Sequence, residues 1–497
     1  MSRLFIFAIG GTGSRVVKSL AMLLAAGVEI KAREIIPIII DPDSTNGDMQ
    51  RTVDILKHYR RVHNKIGFEK NNFFKTKIST LRSLTENLGA GSELSEVFRY
   101  SIDGSKEGRF REFIDYSGLD NTNRALIDLL YSNANLNLKL DEGFKGNPNI
   151  GSVVLNKFKD SDEFKNFASN FGQDDRIFII SSIFGGTGAA GFPLMLKNLR
   201  NADADSVANS DFLRNARIGA LSVLPYFGVA PQKGGVIDKD TFTSKTKAAL
   251  SYYKRNIVDN RSLNALYYLG DDVSQNYEYS EGQTSQKNKA HLIEMIGATS
   301  IIDFMNISDG DMENNGGKAS SPIFREYGIK DAHNSLNFKH LSSRSFNQLF
   351  EPLTQYAYFN LYLKQQFEAS LNEQPWSTRG NVKIDREFRN NSQFYNDSLV
   401  RFNNYFWEWL AEMSGNMRAL QLFDQNVSEN TLDKFVIGVE QKKSFWRIGK
   451  SWSYGFFDEK LNKAERSIGD TTVETKLMYM FYQATKAIME EKFSDIV

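Results

Sequence analysis

An α/β fold built on a doubly wound parallel sheet is predicted by three features of this sequence. Short continuous apolar runs recur through its first half, as in strands buried on both faces. Two of these runs end directly in glycine-rich turns. Stretches with apolar residues at helical spacing fill the intervals, and strands alternating with helices make a parallel sheet.

The first run is 4–9, Leu-Phe-Ile-Phe-Ala-Ile, and the helical spacing of 14–24 follows it across a glycine turn. A second strand is expected at 35–40, running into Asp41-Pro42-Asp43. Pro37 lies inside it, so one edge of that strand should not be fully paired. Residues from about 104 to 173 are polar, contain helical pieces such as 123–130, and read as an insertion. Strands are expected again at 176–181, 217–224 and 265–269, with helices running to Lys197 and over 241–255. Residues 289–305 are apolar on most faces, as in a central, buried helix. A polar loop, 306–320, separates it from a region rich in helical patterns and aromatics at 345–371, 395–420 and 473–493. The expected division is 1–285 for the nucleotide-binding part, 286–305 for the central helix and 306–497 for a largely helical C-terminal domain.

The 497 residues suffice for two or three domains, and 41% hydrophobic with 24% charged residues is ordinary for a globular chain. A formal net charge of +1 gives no reason to expect nucleic acid or a membrane surface as partner. With no cysteine there are no disulfides, cysteine zinc sites or thiol nucleophiles, which fits a cytoplasmic setting. The apolar start is too short for a signal peptide, and no run approaches the length of a membrane helix. His58 and His63 stand five apart, and no histidine metal cluster is apparent.

Gly10-Gly11-Thr12-Gly13 stands between a strand and a helix. Glycines let the backbone approach a phosphate, and the helix start offers unpaired N–H groups. Val16 occupies the place of the third glycine of a dinucleotide fingerprint. Gly185-Gly186-Thr187-Gly188 repeats the arrangement, and Thr187 adds a hydroxyl donor. Two such turns on one sheet can bracket a single phosphate chain from two sides.

In that setting the chain resembles the tubulin and FtsZ superfamily over roughly residues 1–305. Residues 185–188, with Pro193 five on, look like its signature loop, and 10–13 match its first phosphate loop. Leu88-Gly89-Ala90-Gly91-Ser92 resembles the FtsZ loop at the terminal phosphate. Asp41-Pro42-Asp43 resembles the acidic loop, and Ser222-Val223-Leu224-Pro225-Tyr226-Phe227 the stretch bordering the ribose. The resemblance implies GTP or GDP with its phosphates on Gly10, Gly11, Thr12, Gly13, Gly89, Ala90, Gly91, Gly185, Gly186, Thr187 and Gly188. It implies Mg2+ held mainly by phosphates and waters, with Asp43 or Asp41 nearby. An Asx turn at a strand end is the plainer account of those two aspartates.

Several positions depart from the family. Arg15 stands where an Asn or Gln reads guanine, and a surface arginine is its alternative. Asn288 and His291 fall near the base-contacting face, although lone polar residues there also serve as ordinary helix positions. Val229 stands near the ribose-binding Glu, for which Asp238 or Asp240 would substitute. The candidate hydrolytic acids, Asp309 and Asp311, lie in Asn306-Ile307-Ser308-Asp309-Gly310-Asp311, where Ser308 breaks the family's pattern. The aromatic run Tyr405-Phe406-Trp407-Glu408-Trp409 is either core or a surface for a protein partner.

The resulting expectation is a GTP-binding protein, with GTPase activity at a subunit interface, that self-associates head to tail into filaments. A non-polymerising nucleotide sensor or scaffold is the first alternative. An NAD-binding Rossmann oxidoreductase, with Asp41 on the ribose, is the second, and it leaves 185–188 unexplained.

Overall fold

The apolar runs form strands buried on both faces, and the glycine turns lie where those strands end. The computed structural model describes residues 2–43, 45–66, 73–84, 97–100, 108–144, 146–205, 207–226, 228–229, 239–271, 276–277, 287–327, 335–441, 452–494 and 496. Gly89, Ala90, Gly91, Phe227 and Asp238 lie outside the described residues, as do the side chains of Val229 and Asp240.

Among the described residues eight strands make the main sheet: β1 (Arg3–Ile9), β2 (Glu34–Ile40), β3 (Lys77–Ile78), β4 (Arg99–Tyr100), β5 (Arg176–Ser182), β6 (Arg217–Val223), β7 (Ala265–Leu269) and β8 (Ile323–Tyr327). Their order is β3-β2-β1-β5-β6-β7-β8, with β4 also on β2, and every neighbouring pair is parallel. The order turns round at β1: the chain first builds outward on one side of it, then returns to add β5 on the other.

Pro37 has a local explanation. β3 pairs with Glu34 and Ile35, and β4 pairs with Ile39 and Ile40. Residues 36–38 lie in the gap between the two short strands, where the missing proline N–H leaves no ladder bond unmade.

Alternation along β1 sends Leu4, Ile6 and Ala8 into one core and Phe5, Phe7 and Ile9 into another. The first core holds α1 (Gly10–Ala25), α2 (Gly47–Ile66) and several helices from later in the chain. The second is covered by α3 (Pro148–Leu155), α4 (Asp162–Asn170) and α5 (Gly186–Arg200). Phe167 of α4 meets the rings of Phe5 and Phe7 edge-on, with centroids 5.1 and 5.0 Å away. The stretch read as an insertion thus supplies much of the second face.

The central helix, α6 (Leu292–Asn306), is buried on most sides, as its composition requires. It starts three residues later than expected because His291 caps it: the ring Nδ1 accepts from the Ile293 N–H. At its far end Arg176, the first residue of β5, donates from Nη1 to the Phe304 carbonyl and from Nη2 to that of Ile307. The helix therefore runs from the carboxyl edge of the sheet to its amino edge. Residues 306–320, expected as a loop, contain a short turn (Gly310–Met312) and a two-stranded hairpin pairing Asn314–Asn315 with Lys318–Ala319.

After the edge strand β8 come four long helices, α7 (Ser343–Gln365), α8 (Val400–Ser414), α9 (Tyr454–Glu465) and α10 (Val473–Lys492). Their apolar residues join the first core. Phe406 and Trp409 of the aromatic run are buried there, and Trp409 Nε1 donates to Ser19 Oγ on α1 at 3.1 Å. Among the described residues, no helix is long and apolar enough to cross a membrane.

Candidate functional site

In open parallel sheets, ligands bind beyond the carboxyl ends of the strands where the order turns round. The two glycine turns lie at that position, one after β1 and one after β5. A Cβ placed on Gly10 would lie 3.6 Å from Thr187 Cβ and 3.9 Å from the Gly188 nitrogen. Residues 10–13 and 185–188 therefore face each other across one crevice, each opening a helix whose first N–H groups lack helical partners.

Two glycines are required by close approach. A Cβ on Gly13 would come within 2.7 Å of the Ala8 carbonyl carbon, and one on Gly188 within 2.6 Å of the Ser182 oxygen. Each lets its helix begin directly against the strand it follows. Gly10 has φ +72°, which disfavours a side chain there.

Two further segments join this edge. A Cβ on Gly186 would meet the backbone nitrogens of Gly146 and Asn147 at 3.1 and 3.2 Å, just ahead of Pro148, where α3 begins. Asn46 caps α2 by accepting from the Met49 N–H, and its Nδ2 lies 3.8 Å from the Cβ position of Gly11. The sequence reading missed both, although Asn before a helix and Asn-Pro at a helix start are ordinary boundary signals.

Asp41 and Asp43 are buried at the end of β2. Asp41 Oδ1 accepts from the Asp43 N–H, and Asp43 Oδ1 accepts from the N–H and hydroxyl of Thr45. These are Asx-type turns. Burial, reinforced by the neighbouring Asp43 carboxylate, pushes the Asp41 carboxyl up to about 7. Among the described residues no group of three or more His, Asp or Glu forms a metal cage. A magnesium ion here would need phosphate and water for most of its ligands.

Arg15, Asn288 and His291 do come together, in a closed ion network beside the first turn. Arg15 is buried rather than on the surface. It donates to Glu294 Oε1 (2.5 Å), Asp48 Oδ2 (2.9 Å) and the Tyr226 hydroxyl (2.8 Å), and more weakly to Thr12 Oγ1 (3.4 Å). Burial alone would lower its pKa; Tyr226, Glu294 and Asp48 outweigh that and hold it well above the ordinary value. Asn288 donates to both oxygens of Asp48, from its backbone at 2.9 Å and its side chain at 2.8 Å. The His291 ring lies 4.9 Å from that of Tyr226, and burial lowers its pKa. Arg15 Nη1 is 3.6 Å from the Cβ position of Gly11, so this guanidinium borders the first glycine turn.

Asp309 and Asp311 lie at the opposite edge. Asp309 Oδ1 is 2.7 Å from Arg176 and 3.4 Å from Arg217, the first residues of β5 and β6. Asp311 Oδ2 accepts from the Ser308 hydroxyl at 2.7 Å. β5, a strand of seven residues, separates this edge from the glycine turns by roughly 20 Å.

With that geometry in view, the solved structures similar to this chain include two CetZ proteins. One is CetZ from Methanosaeta thermophila strain DSM 6194, with 14% identity over 63% of this chain and 56% of that one, and a TM-score of 0.29. The other is CetZ2 from Haloferax volcanii, a GTPgS-bound protofilament, with 12% identity over 62% of this chain and 60% of that one, and a TM-score of 0.30. In both, less than two thirds of the matched chain is covered. No protein-family model and no curated protein matches the sequence.

Proposed function

We propose that this protein binds a nucleoside triphosphate, with guanine preferred, in the crevice between residues 10–13 and 185–188, and assembles head to tail in the manner of tubulin and FtsZ. The observation that carries the reading is the 3.6 Å approach of the Gly10 Cβ position to Thr187. Two glycine turns after adjacent parallel strands can then hold one phosphate chain from both sides.

The donor set suits that group. Gly10, Gly11, Thr12, Gly13, Gly185, Gly186, Thr187 and Gly188 would hold the phosphates, with Gly89, Ala90 and Gly91 proposed for the terminal one. Bound magnesium would neutralise phosphate charge. Asp41 and Asp43 would orient its waters, and the raised Asp41 carboxyl marks a position where added positive charge is favourable. In this reading the sheet is doubly wound. Residues 1–285 carry the nucleotide, 286–305 form the central helix, and 306–497 complete the molecule, with β8 crossing that division to join the sheet.

Base selection falls to Arg15, Asn288 and His291, whose protein partners the base would displace or share. Hydrolysis falls to Asp309 and Asp311 of the next copy. The arginine pairing of Asp309 supports a second reading, a nucleotide-bound scaffold with little turnover.

Calorimetry with GTP, GDP, ATP and NAD on the wild type and Thr187→Val tests the site. The expected result is preference for guanine nucleotides and a loss of about tenfold in the variant, one hydrogen bond to a charged phosphate. Equal affinity in the two proteins would remove Thr187 from the site. Binding of NAD alone would replace the reading with the oxidoreductase one. Light scattering that shows no GTP-dependent rise would leave binding without assembly.

A further inference from the structure

The ion network beside the first turn does not end at Arg15. It continues into helix α8 of the C-terminal region, through Glu412. One oxygen of Glu412 lies 2.5 Å from Arg51 Nη1; the other accepts from the Ala290 N–H at 2.7 Å and is 3.5 Å from Lys18 Nζ. Asn416, one turn further on, donates to the Ala290 carbonyl at 2.6 Å. Both backbone groups of Ala290, just ahead of the central helix, are thus held from α8 and the residues just past its end. Arg51 also donates to the Asn288 carbonyl at 2.7 Å and lies 3.6 Å from Asp48. Asp48 holds Arg15, and Arg15 borders Gly11 and Thr12.

Three cations, Arg15, Lys18 and Arg51, face three carboxylates, Asp48, Glu294 and Glu412, and a half-exposed fourth, Glu408, lies 3.1 Å from Arg51. Lys18, Arg15, Asp48 and Glu294 are nearly inaccessible to water, so these charges depend on one another rather than on solvent. Removing the Glu412 carboxylate takes a partner from Arg51 on α2 and from Lys18 on α1, the helix that begins with the phosphate turn. α8 supplies Glu412, which reaches both Lys18 and Arg51, and Glu408, which reaches Arg51 alone.

We propose that Glu412 is a positioning residue for residues 10–15, which makes the C-terminal helix α8 a working part of the nucleotide site. This rests on the nucleotide reading above for its consequence, and on the ligand-free network for its mechanism. By linkage, anything that alters the seating of α8 alters nucleotide affinity, and nucleotide alters the seating of α8 by the same factor.

Hydrogen exchange on the full chain decides it, with the wild type, Glu412→Gln, and Glu412→Gln combined with Lys18→Met, which returns the network to its wild-type net charge. Without ligand, Glu412→Gln should speed exchange over 10–15 and 288–294 by about tenfold, the order expected for an unbalanced buried charge. Exchange over 217–223 in β6 and the melting temperature should stay close to wild type. The double variant should recover most of the protection. With GTP, the wild type should gain protection over 400–416 and Glu412→Gln should not.

Three outcomes overturn the proposal: a change confined to α8, faster exchange everywhere, or no recovery in the double variant. A wild type that binds no GTP sinks the nucleotide reading alone, because the ligand-free comparison still decides the role of Glu412.

Discussion

Asp41 sits in an environment at odds with its chemistry. Its carboxyl titrates near 7 in the folded chain, pushed up first by burial and then by Asp43, against about 3.9 in an unfolded one. Between those values the folded state holds a proton that the unfolded state has released, so stability falls as pH rises from about 4 to about 7 and is flat above. Asp41→Asn removes this dependence while keeping an oxygen to accept from the Asp43 N–H. The variant should be more stable than wild type at pH 8, by roughly 4 kcal/mol at most, and no more stable at pH 4. Urea unfolding of both proteins across that range checks it; a constant difference between them would mean that Asp41 is not the titrating group. Magnesium with nucleotide should remove much of the difference, since a cation favours the ionised carboxylate.

At the scale of elements, the close seating of α1 and α5 on their strands makes a sharp prediction. Gly13→Ala and Gly188→Ala each place a methyl group 2.6–2.7 Å from backbone atoms that cannot rotate away. Each should cost about 1–3 kcal/mol and lower Tm by a few degrees. Gly11→Ala meets only side-chain atoms at 3.6 and 3.8 Å, so its Tm should match wild type. Equal losses at all three positions would show that the turn as a whole, not the helix–strand approach, is sensitive. These contacts explain why both turns were legible in sequence: the glycine pattern records a local steric need. β1, β2, β5 and β6 were legible because burial on both faces removes polar letters from a strand. β8, Ile-Phe-Arg-Glu-Tyr, was not, because an edge strand open to water carries Arg325 and Glu326 in its middle. The cover of the second face was equally obscure. Phe158, Phe164 and Phe167 bury their rings from short helices whose remaining letters are polar. The joining of Arg15, Asp48, Glu294 and Glu412 into one network carries no local signal, because the partners of Arg15 and Glu412 are far apart in sequence and meet only through the fold.

Across the whole molecule, the glycine crevice and the Asp309–Asp311 segment occupy opposite edges of one sheet, with α6 spanning the distance between them. No side chain reaches across a strand length, so within one copy these aspartates cannot touch a phosphate held at the carboxyl edge. Stacking a second copy in the same orientation brings its amino edge over the crevice, and such a contact, repeated without closing, gives a filament. Arg176 and Arg217 then have a clear part to play. In the proposed assembly they would hold Asp309 until a neighbour's phosphate and magnesium competed for it. This arrangement makes a prediction that a self-contained site does not. Thr187→Val spoils the crevice and leaves the amino edge intact; Asp309→Asn with Asp311→Asn does the reverse. Each protein alone should release phosphate from GTP slowly. In an equal mixture, one contact in four joins an intact crevice to an intact acidic edge, so the rate should recover to about a quarter of wild type. A mixture no faster than the average of its two components would place any hydrolysis within a single copy, or nowhere.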